Sequence, residues 1–296
     1  MTLDQRANQP TVGAITHPLE ETADTPASTP ADVAQAQGPA SWLVVGAAGA
    51  LIALAAVLVF WPGATLLDRL RALDGGICAQ LPTHSFYPGG ERLPLCARNT
   101  GIYLGFAITT ITLFVTGRWR AINFPRWPVA LVLLACVLVL GVDGFNSLFL
   151  DLHLPHLYQP HNLIRLTTGL FTGMAMASFL LPVTNSILWK DVNEERSMAS
   201  WWQVLQMVPI LAICFLAVAT QAAILLYPIA ILSTLGVMTA LGLINLTMMI
   251  AISGKICTFG RPRQIFPFVS LSYVLATGEL MGLFFLSHWL LQRVSA

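Results

Sequence analysis

Seven apolar runs of membrane length punctuate this chain, and they decide its solvent before any motif is read. They cover residues 41–61, 101–116, 127–150, 163–183, 202–226, 229–252 and 268–291. A helix needs about 20 residues to cross the hydrocarbon core. Only 10% of the 296 residues are charged, whereas soluble domains carry about 25%. So few charges cannot cover a water-facing surface. The fold class expected is therefore an all-α integral membrane protein, a bundle of about seven transmembrane helices. Tyr227-Pro228 divides the fifth run from the sixth.

Short loops rich in Lys and Arg orient such a bundle toward the cytoplasm. Loop 117–126 carries Arg118, Arg120 and Arg126 with no acid, and loop 253–266 carries Lys255, Arg261 and Arg263 with no acid. Loop 185–198 adds Lys190 and Arg196. Alternation puts all three on one side, with the N-terminus inside. The other side receives a long polar insert at 63–100, loop 151–162 and the C-terminus. Residues 1–38 are rich in Thr, Pro, Ala and acids, a composition that cannot bury a core, and read as a disordered cytoplasmic tail. The run at 41–61 is too long for a leader's apolar core and has no basic flank, so it reads as a span. The expected organisation is the tail at 1–38, a four-span domain at 39–184 and a three-span extension at 185–296. A bacterial cytoplasmic membrane is the expected location. The bilayer is the expected partner, with a second membrane protein or another copy of the chain as further candidates. A net charge of +1 argues against nucleic acid.

The insert concentrates the chemistry. It opens with a stretch that places Leu66, Leu67, Leu70 and Leu73 on one helical face and Asp68, Arg69 and Arg71 opposite, the pattern of an interfacial amphipathic helix. Cys78 and Cys96 follow, separated by seventeen residues. In an oxidising compartment they can close a disulfide worth about 3 kcal/mol in the chain-entropy model. Unlinked thiols and a reactive redox or metal-binding pair are the other readings. No C-x-x-C occurs, so a thioredoxin-type centre is not indicated.

Cys78, Gln80, Pro82, Ser85, Phe86, Gly90, Pro94, Cys96, Ala97, Arg98, Thr100, Gly101, Tyr103 and Gly105 form a pattern, joined later by Asn162, Arg165, Thr168, Gly169 and Gly173. It resembles the signature of a bacterial and archaeal family of small uncharacterised polytopic membrane proteins, a domain of unknown function. The resemblance covers about residues 75–180. The family pattern carries His after the first Cys and a further Cys after C-A-R. These positions are Ala79 and Asn99 here. A Cys/His cluster suits zinc or copper, but this chain keeps only two of the four ligand positions. A zinc site built from the motif alone is therefore not expected.

Several polar residues stand where an apolar chain does not need them. Asn99 or Thr100 can cap the second span, whose free N–H groups favour an anion that Arg98 can help hold. A snorkelling arginine is the plainer reading of Arg98. Asp143 in the third span and Arg165 in the fourth lie at matching depths and read as an ion pair, since ionisable groups in spans face inward and pair. Asn162, Arg165, Gly169 and Thr172 share one helical face. Gly169 and Gly173 form a small-residue stripe extended by Ala177, and Gly101 with Gly105 forms a second. His84, His153, His156 and His161 fall on the outer side and are candidate metal ligands, or ordinary interfacial residues. Glu279, inside the seventh span, reads as a proton or ion site, or as a neutral carboxyl bonded to Gln203, Gln206, Gln221 or Asn245. Cys136 and Cys214 read as packing residues, and Cys257 as a lone thiol.

No phosphate-binding loop, dinucleotide fingerprint, H-E-x-x-H or G-x-S-x-G motif is present. The reading that follows is a non-catalytic membrane protein, a transporter or an accessory subunit. It binds a polar or anionic ligand at its outer face through Arg98, Asn99, Thr100, Asp143, Asn162 and Arg165. A membrane enzyme with thiol or metal chemistry is the alternative, and a structural subunit of a larger complex is the third.

Overall fold

The computed structural model describes residues 65–191 and 193–294, together with Ala48 and Gly49. The expected tail, and the expected first span apart from those two residues, lie outside the described residues. Within them, α1 (Leu66–Asp74) is short. It is followed by α2 (Ala97–Val115), α3 (Trp127–Asp151), α4 (Asn162–Leu188), α5 (Trp201–Ala219), α6 (Leu226–Ile252) and α7 (Pro262–Val294). Two short strands, β1 (Ala121–Asn123) and β2 (Asn193–Arg196), pair in parallel. The protein is an all-α membrane protein, and α3 to α7 are each long and apolar enough to cross a bilayer.

α2 is a different kind of helix. Its 19 residues include Arg98, Asn99 and four threonines, which dilute its apolar character. It is nevertheless central, because its closest neighbour is α4 and the two approach backbone to backbone. Gly101 and Gly105 face Gly169 and Gly173. A methyl group at Gly101 would meet the carbonyl oxygen of Leu166, and one at Gly173 would meet that of Ile102. The two small-residue stripes therefore serve one interface. Without a hydrophobic drive between helices in lipid, such close van der Waals contact is what holds spans together.

Burial divides the bundle into inner and outer helices. In its most apolar window α4 is 61% buried, whereas α3 and α5 are 17% buried. The outer helices turn large apolar side chains such as Leu138, Phe145, Trp202 and Ile213 away from the core. α6 packs against α2, α4 and α7, so the last three helices are interleaved with the earlier ones.

The loops sort to two ends. Loop 189–200 pairs with loop 116–126 through β1 and β2, and Lys190 N donates to Phe259 O at 3.0 Å. Asn185 pins this end: its Nδ2 donates to Trp119 O at 2.7 Å and Ala121 O at 3.0 Å, and its Oδ1 accepts from Trp189 Nε1 at 3.0 Å. At the opposite end the insert meets the α5–α6 connection, where Tyr87 N donates to Gln221 Oε1 at 2.9 Å.

One boundary differs from expectation. The break between the fifth and sixth runs falls at residues 220–225, not at Tyr227-Pro228. Pro228 sits in the first turn of α6, where its missing N–H costs no helical bond. Gln221, at φ 50°, makes the turn instead.

Candidate functional site

The insert is a compact scaffold built on α1. Thr65 and Asp68 close a reciprocal capping box at its N-terminus. Leu67 and Leu73 are buried, so the amphipathic face docks on the bundle, and α1 packs against α6 and α7. Gly76 lets the chain run against the Leu280 carbonyl, a contact that any side chain would block. Three side chains then fold the loop. Arg71 donates from Nη2 to Arg92 O at 2.7 Å, Gln80 donates from Nε2 to Arg71 O at 2.7 Å, and Arg92 donates from Nη1 to Gln80 O at 2.8 Å.

This scaffold lies beside a polar network at the end of α2, α3 and α4. Arg98 Nη2 donates to Asp143 Oδ2 at 2.6 Å, to Asp143 O at 3.1 Å and to Ser147 Oγ at 2.9 Å, and its Nε adds a 3.1 Å bond to Asp143 Oδ2. Tyr158 donates its hydroxyl to Asp143 Oδ1 at 2.7 Å. Asn146 sets Tyr158 in place, accepting from Leu157 N at 2.7 Å and donating to Tyr158 O at 2.8 Å. Arg165 Nη1 donates to Asn162 Oδ1 at 2.9 Å, its Nε to Ser147 Oγ at 3.4 Å, and its Nη2 meets His84 Nε2 at 3.1 Å. Asn162 Nδ2 reaches back to Thr83 O and Ser85 O, which ties α4 to the insert.

The electrostatics are asymmetric. Asp143 is 1% exposed and satisfied by Arg98 and Tyr158. Arg165 is 4% exposed, yet all of its hydrogen-bond partners are neutral side chains. Among the described residues no carboxylate lies within ion-pair distance of it. Burial, and then the Arg165 guanidinium, push the His84 imidazole below its ordinary value. His84 is thus neutral near pH 7 and accepts from Arg165 through Nε2. Asp151, 3.4 Å from the same nitrogen, is the nearer acid on the exposed rim. Burial, and then Asp143, push the Tyr158 hydroxyl up to about 12, so it remains a donor.

Several expectations need correction. Asp143 pairs with Arg98 of α2 rather than with Arg165 of α4: Arg98 Nη2 lies 2.6 Å from Asp143 Oδ2. Ser147 Oγ accepts from both arginines, so Arg165 is linked to Asp143 through Ser147 and Arg98. Neither Asn99 nor Thr100 caps α2: the helix starts at Ala97 with Cys96 as N-cap, and Thr100 Oγ1 donates back to Leu95 O at 3.2 Å. The histidines do not converge. His84 turns inward to Arg165, while His153, His156 and His161 are exposed along an irregular loop. No cluster of three metal-ligating side chains occurs among the described residues. Glu279 lies on the outer surface of the bundle, accepts from Asn245 Nδ2 at 3.1 Å and borders an apolar recess with Ile77, Leu241, Gly282 and Leu283. Cys78 and Cys96, the expected disulfide candidates, are brought together, with their sulfurs unlinked in this structure.

Sequence reasoning missed Ser147, Asn146 and Tyr158. The signal for the first two was present. Asp143, Asn146, Ser147 and Asp151 recur at helical spacing of three and four on an otherwise apolar helix. Asp74 was also missed. It is fully buried at the end of α1, where Oδ2 accepts from Thr234 Oγ1 at 2.7 Å.

Comparison with known proteins follows the same boundaries. Residues 78–179 match a family described as a predicted membrane protein, DUF2085. An uncharacterised protein of Methanothermobacter thermautotrophicus is 35% identical over 104 residues, covering 34% of this chain and 81% of that protein. An uncharacterised protein of Methanocaldococcus jannaschii is 27% identical over 122 residues, covering 41% of this chain and 72% of that one. No solved structure matches the chain.

Proposed function

We propose a function for a chain that belongs to the DUF2085 family of predicted membrane proteins: it binds a small anionic group at the insert-bearing end of its bundle. The observation that carries this reading is Arg165. A buried guanidinium normally has a carboxylate partner, because an uncompensated charge out of water is costly. Arg165 has Ser147, Asn162 and His84 instead. An anion entering beside His84 would supply the missing charge, with Arg98 next to it and Asp143 keeping Arg98 in place. Guanidinium groups suit carboxylate and phosphate through paired N–H donors.

The Lys/Arg bias of the opposite loops supports an orientation with this end outside and the N-terminus inside. A transporter or the accessory subunit of a larger assembly would each use such a site. The test is titration of inorganic phosphate and of acetate into the protein in lipid nanodiscs, read as a rise in the thermal unfolding midpoint. The wild type is expected to show a saturable rise with at least one anion, and Arg165→Gln is expected to lose it. Equal responses in both proteins, or none in the wild type, would overturn the reading.

A further inference from the structure

At the N-terminus of α2 a second group of reactive side chains gathers, and none of them is a residue of the anion site. Cys78 and Cys96 lie against each other beneath the insert. Cys96 N donates to Cys78 Sγ at 3.2 Å, and the Cys96 thiol hydrogen-bonds the same sulfur. Gln80 N–H and the Asn99 side chain add further donors to it. Cys96 is also the N-cap of α2, so the sulfur sits where unpaired helical N–H groups favour negative charge. Cys78 is buried and Cys96 only partly so.

The third member is Asp74. Its backbone oxygen accepts from Cys78 N at 3.1 Å. Its carboxyl is fully buried, and its Oδ1 has no hydrogen-bond partner among the described residues. A buried carboxylate oxygen without a partner is expensive in the charged form and inexpensive as an acid.

We infer that Cys78, Cys96 and Asp74 form a thiol–disulfide exchange site whose substrate class is a small disulfide. The steps balance as follows. The Cys78 thiolate attacks one sulfur of the substrate. The substrate S–S bond breaks, a mixed disulfide forms on Cys78, and the first thiolate leaves and takes the Cys96 proton. The Cys96 thiolate then attacks Cys78 Sγ. The Cys78–Cys96 bond forms, and the second thiolate leaves and takes the Asp74 proton, so the site keeps one negative charge. Two electrons have moved from the cysteine pair to the substrate, and an external dithiol reverses the sequence.

The ionisations agree with those roles. Hydrogen bonding from Cys96 pulls the Cys78 thiol down to about 6, and the same pairing pushes Cys96 up. Burial raises Asp74 to about 7, into the range where it can accept and release a proton under physiological conditions.

The experiment uses the full chain in nanodiscs after mild reduction, with a dipyridyl disulfide whose released thiopyridone is followed by absorbance. The products are mapped by peptide mass spectrometry. In the wild type, two thiopyridones per Cys78–Cys96 pair are expected, with the two cysteines ending bonded to each other. Cys96→Ser is expected to stop after one, leaving pyridyl-labelled Cys78. Asp74→Asn is expected to slow the second release relative to the first, which a purely structural acid would not do. Two results would overturn the inference on the wild type alone: a Cys78–Cys96 bond that resists a dithiol reductant in folded protein, or two thiols that are each labelled and never join. Thiopyridone release is followed without phosphate or acetate present, so failure here is separable from failure of the anion site.

Discussion

Arg98 and Asp143 join α2 to α3 through a 2.6 Å contact between Nη2 and Oδ2, reinforced by a second bond from Nε and a third to the Asp143 carbonyl. The pair is lopsided. Asp143 is nearly inaccessible, while the Arg98 side chain is 21% exposed. Removing the arginine therefore strands a buried carboxylate with only Tyr158 to compensate it. Arg98→Ala is expected to cost about 3–5 kcal/mol, as breaking buried pairs does. The paired change Arg98→Met with Asp143→Leu is expected to recover most of that loss. Unfolding midpoints in detergent micelles check both. A double variant no more stable than Arg98→Ala would contradict this account.

The pH response of the same network follows from His84. Burial and Arg165 hold its pKa below the ordinary 6.5, so the folded state prefers neutral imidazole. The unfolded chain takes up the proton first as pH falls. The contribution of His84 to stability is therefore complete above about pH 6.5 and is lost as pH drops toward the depressed folded value. Arg165, Arg98 and Asp151 are the charged groups that face it. Unfolding midpoints measured between about pH 8 and pH 5 are expected to decline in the wild type. The decline is expected to be shallower in His84→Gln, whose amide oxygen can still accept from Arg165. Parallel pH profiles would show that His84 is not the group responsible.

Helix contact offers a third test. Gly105 abuts the Leu170 carbonyl of α4, whereas a methyl group at Gly282 on α7 meets open space. Gly105→Ala is expected to destabilise by about 1–3 kcal/mol through overpacking of a backbone contact that cannot yield. Gly282→Ala is expected to be neutral or slightly stabilising, since alanine is the better helix former. Thermal unfolding of the two variants side by side makes the comparison.

Much of the architecture was legible because lipid leaves few choices. Apolar runs of membrane length must be helical and must cross, so α3 could be placed within one residue, while the end of α5 was read seven residues too late. The glycine stripes on α2 and α4 were legible for the same reason, although nothing in one chain's order says that two stripes face each other. The polar end was harder. Spacing put Asp143 at the depth of Arg165, and depth alone cannot say which of two arginines is nearer. Hydropathy marks only the first apolar residue of a span, Gly101, whereas the helix itself starts four residues earlier at Ala97, which moves its cap to Cys96.

The Cys78–Gly101 stretch shows where the division falls. By itself the sequence determined that a polar insert with two cysteines, a histidine and two arginines stands between membrane-length runs. That follows from hydropathy and spacing, which are local properties. Only the tertiary structure decided that Arg98 turns to Asp143, that His84 reaches Arg165 and that Cys78 and Cys96 meet beside Asp74. Those relations depend on how α1, α2, α3 and α4 are rotated about their own axes. The rotation is set by side-chain packing between helices far apart in the chain, through the glycine contact of α2 with α4 and the docking of α1 on α6 and α7.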